Sequence, residues 1–109
     1  MSDLANKKCI PCRIGAPTLN EDEIKELIKE LKEGWEVIDN KKLKKTYKFK
    51  DFKEALEFTN KVGKLAEEEG HHPVIHLSWG KVVLELWTHK IGGLHENDFI
   101  LAAKIDKIN

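Results

Sequence analysis

The chain has 109 residues, with 19 basic and 19 acidic side chains and a formal net charge of zero. That length allows one domain with a modest core, and the charge balance argues against a nucleic-acid or anionic-membrane surface. All but one of the basic residues are lysine, the exception being Arg13, and the scarcity of guanidinium forks weakens the nucleic-acid reading further.

No window approaches the ~20 consecutive apolar residues of a membrane span. The opening residues lack the apolar core of a signal peptide. The expectation is a cytoplasmic protein with no membrane partner. Residues 1–18 show no hydrophobic periodicity and contain Pro11, Gly15 and Pro17. They read as a flexible arm in front of a domain at 19–109. The arm carries Cys9 and Cys12 in a CxxC. A zinc site needs four ligands and no second CxxC exists. The redox reading lacks a strand before the motif. Two reduced thiols on an arm is the plainer reading.

Asn20 can cap a helix, with Glu23 three residues on closing a capping box. Ile24, Leu27, Ile28 and Leu31 then share one face, and Gly34 is the expected stop. Trp35, Val37, Leu43, Tyr47 and Phe49 alternate across an Asp39-Asn40 turn and predict a hairpin. Lysines 41, 42, 44, 45, 48 and 50 crowd its second strand, which reads as a solvated edge guarded against aggregation. Asp51 caps a second helix with Glu54 at N3. Its apolar stripe is Phe52, Ala55, Leu56, Thr59, Val62 and Ala66, and Gly70 is the stop. Val74 to Trp79 and Val82 to His89 form a second hairpin around Gly80-Lys81, with Val83, Glu85, Trp87 and His89 on one side of the return strand. The last helix opens at His95 to Asp98 and runs through Lys107. His95 is a poorer cap than Ser or Thr.

The order α-β-β-α-β-β-α suits an α+β fold: a four-stranded antiparallel sheet with three helices on one face. The other face is unaccounted for. The last helix is apolar over a wide arc, with Phe99, Ile100, Leu101, Ala102, Ala103, Ile105 and Ile108. Both features favour a homodimer or homotetramer.

The chemistry gathers around Glu67, His71-His72-Pro73, Trp79, His89 and Asp98. Histidine gives and takes protons near neutral pH. A helix end and a proline fix the direction of the adjacent imidazoles. Glu67 lies one helical turn before His71 and can orient it. Asp98 can orient another histidine or serve only as a cap. Trp79 can stack on a flat ligand or pack. His76 reads as an ordinary strand histidine.

Those seven positions, with Gly34-Trp35, the Phe49 to Phe52 segment and Thr88-His89 flanking them, resemble the pterin-4a-carbinolamine dehydratase family over 19–108. The resemblance implies a lyase that removes water from a 4a-hydroxy-tetrahydropterin to give quinonoid dihydropterin. It implies proton transfer to the leaving hydroxyl by His71 and His89, with His72 holding the pterin. Glu67, Pro73, Trp79 and Asp98 become binding or orienting residues. No cofactor and no metal are implied, and the role implied in metabolism is tetrahydrobiopterin recycling or other pterin metabolism. Two alternatives stand beside it. One is a non-catalytic dimerisation or partner-binding protein of the same fold. The other is a three-histidine metal site, which is awkward because adjacent residues of an extended segment point to opposite sides.

Overall fold

A computed structural model of the chain describes residues Leu4–Asn6 and 18–108. Cys9 and Cys12 lie outside the described residues. The elements are α1 (Glu21–Ile28), β1 (Glu36–Ile38), β2 (Lys42–Lys48), α2 (Phe52–Glu69), β3 (Val74–Ser78), β4 (Lys81–Leu86) and α3 (Glu96–Ile108). All strand pairs are antiparallel, in the spatial order β1-β2-β4-β3. The expected fold class and element order are both present.

Local chemistry explains most boundaries. Asn20 Oδ1 accepts from the Glu23 N–H at 2.8 Å, and Glu23 Oε1 accepts from the Asn20 N–H at 3.0 Å, a complete capping box. Gly34 does not end α1, which stops at Ile28 with Lys29 as its cap. The chain then turns before Gly34, which adopts φ 107° just ahead of Trp35. Asp39 and Asn40 take φ 52° and 55°, and the Lys41 N–H reaches the Ile38 carbonyl at 2.9 Å. Asp39 and Asn40 open the three-residue loop between the paired Ile38 and Lys42, and their left-handed conformation turns the chain with the right-handed twist of the hairpin. The second hairpin turns at Trp79-Gly80, since Ser78 pairs with Lys81.

The register sorts the sheet into two faces. Val37, Leu43, Tyr47, Ile75, Leu77, Val82, Leu84 and Leu86 share the helix-covered face. Ile24 of α1, Phe58 and Val62 of α2 and Phe99, Leu101 and Ile105 of α3 complete the core. The stripe of α2 differs from the expected one. Phe52 and Leu56 are exposed, and Phe58 faces inward, its ring 4.5 Å from Tyr47 and 5.3 Å from Phe49. Ala55, Phe58, Val62 and Ala66 fall on one helical face; Phe52 and Leu56 lie beside it.

The lysine-rich strand is not an edge, because β2 lies between β1 and β4. Lys45 is not solvated either. It pairs with Leu84 in register and so enters the covered side, where its ammonium lies 3.4 Å from Asp106 Oδ1 and over the Trp35 and Tyr47 rings. The Asp106 carboxylate also accepts from Trp35 Nε1 and from the Lys32 backbone N–H, each at 2.9 Å. This buried charge is therefore paired and hydrogen-bonded, as low-dielectric burial demands. Burial, with the Asp106 charge nearby, pushes the Tyr47 phenol well above its usual value.

The circumference of α3 is covered within the chain. Phe99 through Ala103 and Ile105 are all buried. Part of that cover comes from the stretch read as an arm, where Leu4–Asn6 form a 3-10 turn and Leu4 is only 2 % exposed. One ground for expecting a second copy thus falls away. The open face carries Lys42, Lys44, Thr46, Lys48, His76, Ser78, Lys81 and Glu85 beside Ile38, Val74 and Val83, and is largely polar.

Candidate active site

The end of α2 delivers the paired histidines. Gly70 takes φ 65° and its N–H, like that of His71, returns to the Ala66 carbonyl. A left-handed residue is needed here to turn the chain out of the helix, and glycine adopts it without steric cost. Glu69 in the last turn pairs with Lys104 at 3.4 Å, tying this helix end to α3. Pro73 then leads into β3.

His71 turns inward. Its Nε2 lies 2.6 Å from Asp98 Oδ1. Asp98 is fully buried, and its Oδ2 accepts from Thr88 Oγ1 and from the His95 backbone N–H, each at 2.9 Å. A carboxylate with three donors is charge-assisted at every contact. Because the carboxylate only accepts, His71 Nε2 carries the proton in this arrangement and Nδ1 is left to accept. Asp98 thus meets His71, the histidine expected on Glu67 and not another one, while its Oδ2 closes the cap of α3. His95 is a working cap after all, since its Nδ1 accepts from the Asn97 N–H at 3.1 Å.

Glu67 does not touch His71. It pairs with Nε2 of His72 instead, on the exposed side. The i, i+4 spacing favours His71 only while the helix continues, and the turn at Gly70 sends His71 away.

His89 is not in the strand. β4 ends at Leu86, and a bridge joins Thr88 to Gly93, with the Thr88 N–H 2.9 Å from the Gly93 carbonyl. His89–Ile91 form a 3-10 turn inside that bridge. The His89 ring stacks on Trp87, centroids 4.3 Å apart and planes inclined by 20°. The Lys42 ammonium lies 5.5 Å from the same indole. A cleft of about 240 Å³ runs alongside, lined by Ile38, Asp39, Lys41, Lys42, Trp87 and Gly92.

Trp79 stands apart. It sits 69 % exposed in the turn at the far end of β3. Five extended residues at ~3.3 Å each carry it about 17 Å from the paired histidines. The aromatic side chain within the cluster is Trp87, which the alternation along β4 sets on the open side with Glu85 and which carries no mark of its own in the sequence.

Outside this cluster, Glu85 gathers Lys42 at 2.5 Å and His76 at 2.7 Å. The Lys42 hydrogen bond, then that of His76, holds the Glu85 carboxyl below its usual range against the opposing effect of burial. His76 is thus a satisfied strand histidine. Among the described residues no three His, Cys, Asp or Glu side chains converge as metal ligands would, so the three-histidine alternative gains no geometric support there. No helix among them is long and apolar enough to cross a membrane.

The fold is a small antiparallel α+β domain that sets a histidine on a buried carboxylate where α2 gives way to β3. Residues 17–108 match the family described as pterin 4 alpha carbinolamine dehydratase. A relative from Alkaliphilus metalliredigens (strain QYMF), whose name places it among pterin-4-alpha-carbinolamine dehydratases, is 59 % identical over 107 residues, covering 98 % of this chain and 96 % of its own. A similarly named relative from Rubrobacter xylanophilus is 48 % identical over 108 residues, covering 99 % and 100 %. Among solved structures, a transcriptional coactivator/pterin dehydratase from Brucella melitensis superposes with a TM-score of 0.77 at 32 % identity, over 84 % of this chain and 98 % of that one. A pterin dehydratase-like protein titled a RuBisCO assembly factor in the alpha-carboxysome gives 0.59 at 25 % identity, over 69 % and 88 %. The chain belongs to the pterin-4a-carbinolamine dehydratase family, whose activity is that of a lyase.

Proposed function

We propose that this chain removes water from a 4a-hydroxy-tetrahydropterin by histidine acid/base catalysis. The observation that supports this best is the His71–Asp98–Thr88 arrangement: an imidazole with one nitrogen fixed on a buried carboxylate and the other left to accept. In the reaction the C4a–O bond breaks, the hydroxyl leaves as water after protonation, and N5 loses its proton as the C4a=N5 bond forms. His71 and His89 exchange the protons with the leaving oxygen and the ring nitrogen. Asp98 stabilises His71 when it is charged. His72, steadied by Glu67 and Pro73, holds the pterin. Positioned groups of this kind contribute ~10²–10⁴-fold each. The chemistry asks for no cofactor, and it serves tetrahydropterin recycling or other pterin metabolism.

The test is a direct assay with 4a-hydroxy-tetrahydropterin. His71→Ala and His89→Ala should each lower kcat by ~10²-fold or more with modest change in KM, and His72→Ala should mainly raise KM. Parental rates in all three variants would overturn the assignment.

A second reading, a partner-binding role on the same fold, is favoured by two structural neighbours, one described as a transcriptional coactivator/pterin dehydratase and the other as a RuBisCO assembly factor. Phe52, Leu56 and Trp79 are the large apolar side chains such a partner would meet. Parental dehydratase activity after Phe52→Ser and Trp79→Ser, with loss of a partner, would support it.

A further inference from the structure

The three site histidines are held by different means. His71 and His72 each give a ring nitrogen to a carboxylate, Asp98 and Glu67. His89 does not: among the described residues its ring contact is the face of Trp87, and neither ring nitrogen has a hydrogen-bond partner there. We propose that Trp87 is the positioning residue for His89, fixing the plane of the imidazole while leaving both nitrogens open.

The backbone around His89 is already set. The Thr88–Gly93 bridge closes the loop at its base. Gly92, at φ 65°, caps the 3-10 turn with its N–H on the His89 carbonyl. Gly93 lies so close to Thr18 that an added Cβ would meet Cγ2 at 2.6 Å. These contacts fix Cα and leave the side-chain torsions free. His89 is exposed, so core packing does not choose its rotamer. The near-parallel stack does, since a flat ring lying on another keeps its plane while its edge stays in solvent.

Trp87 is itself secured from the neighbouring strands. Lys42 of β2 reaches over the indole, and its ammonium is tethered by Glu85 of β4, whose other oxygen meets His76 of β3. The indole therefore rests against a tethered ammonium and not a freely rotating one.

Stacking has a chemical consequence that a carboxylate partner does not. A histidine bound through one nitrogen works with the other alone. With both nitrogens open, His89 can take a proton at one and release it to solvent from the other, which is what a group needs if it is to be reset after each turnover. This role rests on the dehydratase reading; the placement of the ring does not.

The experiment compares Trp87→Leu and Trp87→Phe with the parent, with folding checked by circular dichroism. The carbon-bound imidazole protons of His89, assigned by their loss in His89→Ala, report the stack through the indole ring current. In Trp87→Leu they should move downfield to the positions of an unstacked histidine. With 4a-hydroxy-tetrahydropterin, kcat should fall about tenfold or more, as misplacement of a reacting group predicts, while KM stays within about threefold. Trp87→Phe should restore most of both. Unmoved His89 resonances in Trp87→Leu would overturn the proposal, as would moved resonances with an unchanged kcat. A parent with no dehydratase activity would defeat the proposed function instead, and the resonances alone would then decide whether Trp87 holds the ring.

Discussion

His71 Nε2 and Asp98 Oδ1 lie 2.6 Å apart, although 27 residues separate them in the chain. One closes α2 and the other opens α3, so the contact forms only when both helices have docked. Asp98 serves two masters at once, the imidazole through Oδ1 and the cap through Oδ2.

That double use gives the first prediction. Asp98→Ala leaves three donors without an acceptor in a fully buried position and should cost about 3 kcal/mol or more. Asp98→Asn keeps the shape but presents an amide donor to at least one of the three. It should lose less stability than the alanine variant yet still reduce kcat. Chemical denaturation and steady-state kinetics on the two variants separate these effects. Equal stability in both would mean the carboxylate is not holding the cap.

The second prediction concerns α2. Phe58→Ala should cost about 3–5 kcal/mol, because it opens a cavity beside Tyr47 and Phe49. Phe52→Ala and Leu56→Ala, at exposed positions, should stay within about 1 kcal/mol of the parent. Urea midpoints of the three variants would check the ranking, and a costly Leu56→Ala would point to an assembly that covers it.

The third concerns pH. Folding lowers the Glu85 pKa, so the unfolded chain holds that proton more tightly than the folded one. The resulting stabilisation is complete above the carboxyl's ordinary value, 4.5, and is lost as pH falls through the lower, folded value. Glu85→Gln should therefore melt below the parent near neutral pH, and the gap should narrow as the solution becomes more acid than pH 4.5. A gap that stays constant through the acid range would assign the effect to packing and not to charge.

The fourth concerns assembly. Leu101 is buried inside its own chain. Leu101→Glu should therefore unfold the protein, because an unpaired charge would enter the core. Circular dichroism together with light scattering distinguishes this from dissociation. A folded monomer arising from a larger parent would restore α3 to an interface.

The element order, the N-caps Asn20 and Asp51 and the Asp39-Asn40 turn were legible because each depends on residues within a few positions of one another. The candidate site stood out for a different reason: His71, His72, His89 and Asp98 stand at intervals that resemble those of a family. The pairings were not. Glu67 one turn before His71 looks like its partner until Gly70 turns the chain, and one left-handed residue redirects the contact to His72. Trp79 and Trp87 are equally visible as aromatic residues, but only the strand direction shows which of them ends beside His89. Lys45 reads as one lysine among many, because strand alternation alone does not reveal the buried Asp106 waiting across the core. The α3 stripe looked excessive because its cover includes Leu4, far away in sequence and outside any periodic pattern.

Asp98 belongs to the first turn of a helix surrounded by core on every side, and this has a kinetic corollary. Amide exchange from buried, densely packed segments requires opening on the scale of the whole fold, whereas frayed ends and loops exchange through small local excursions. The backbone amides of Asp98 and Phe99, buried in α3, should exchange more slowly than those of the exposed His89 and Lys90. The candidate site thus joins a deeply packed carboxylate to an exposed imidazole, and mild denaturant should loosen the second before the first.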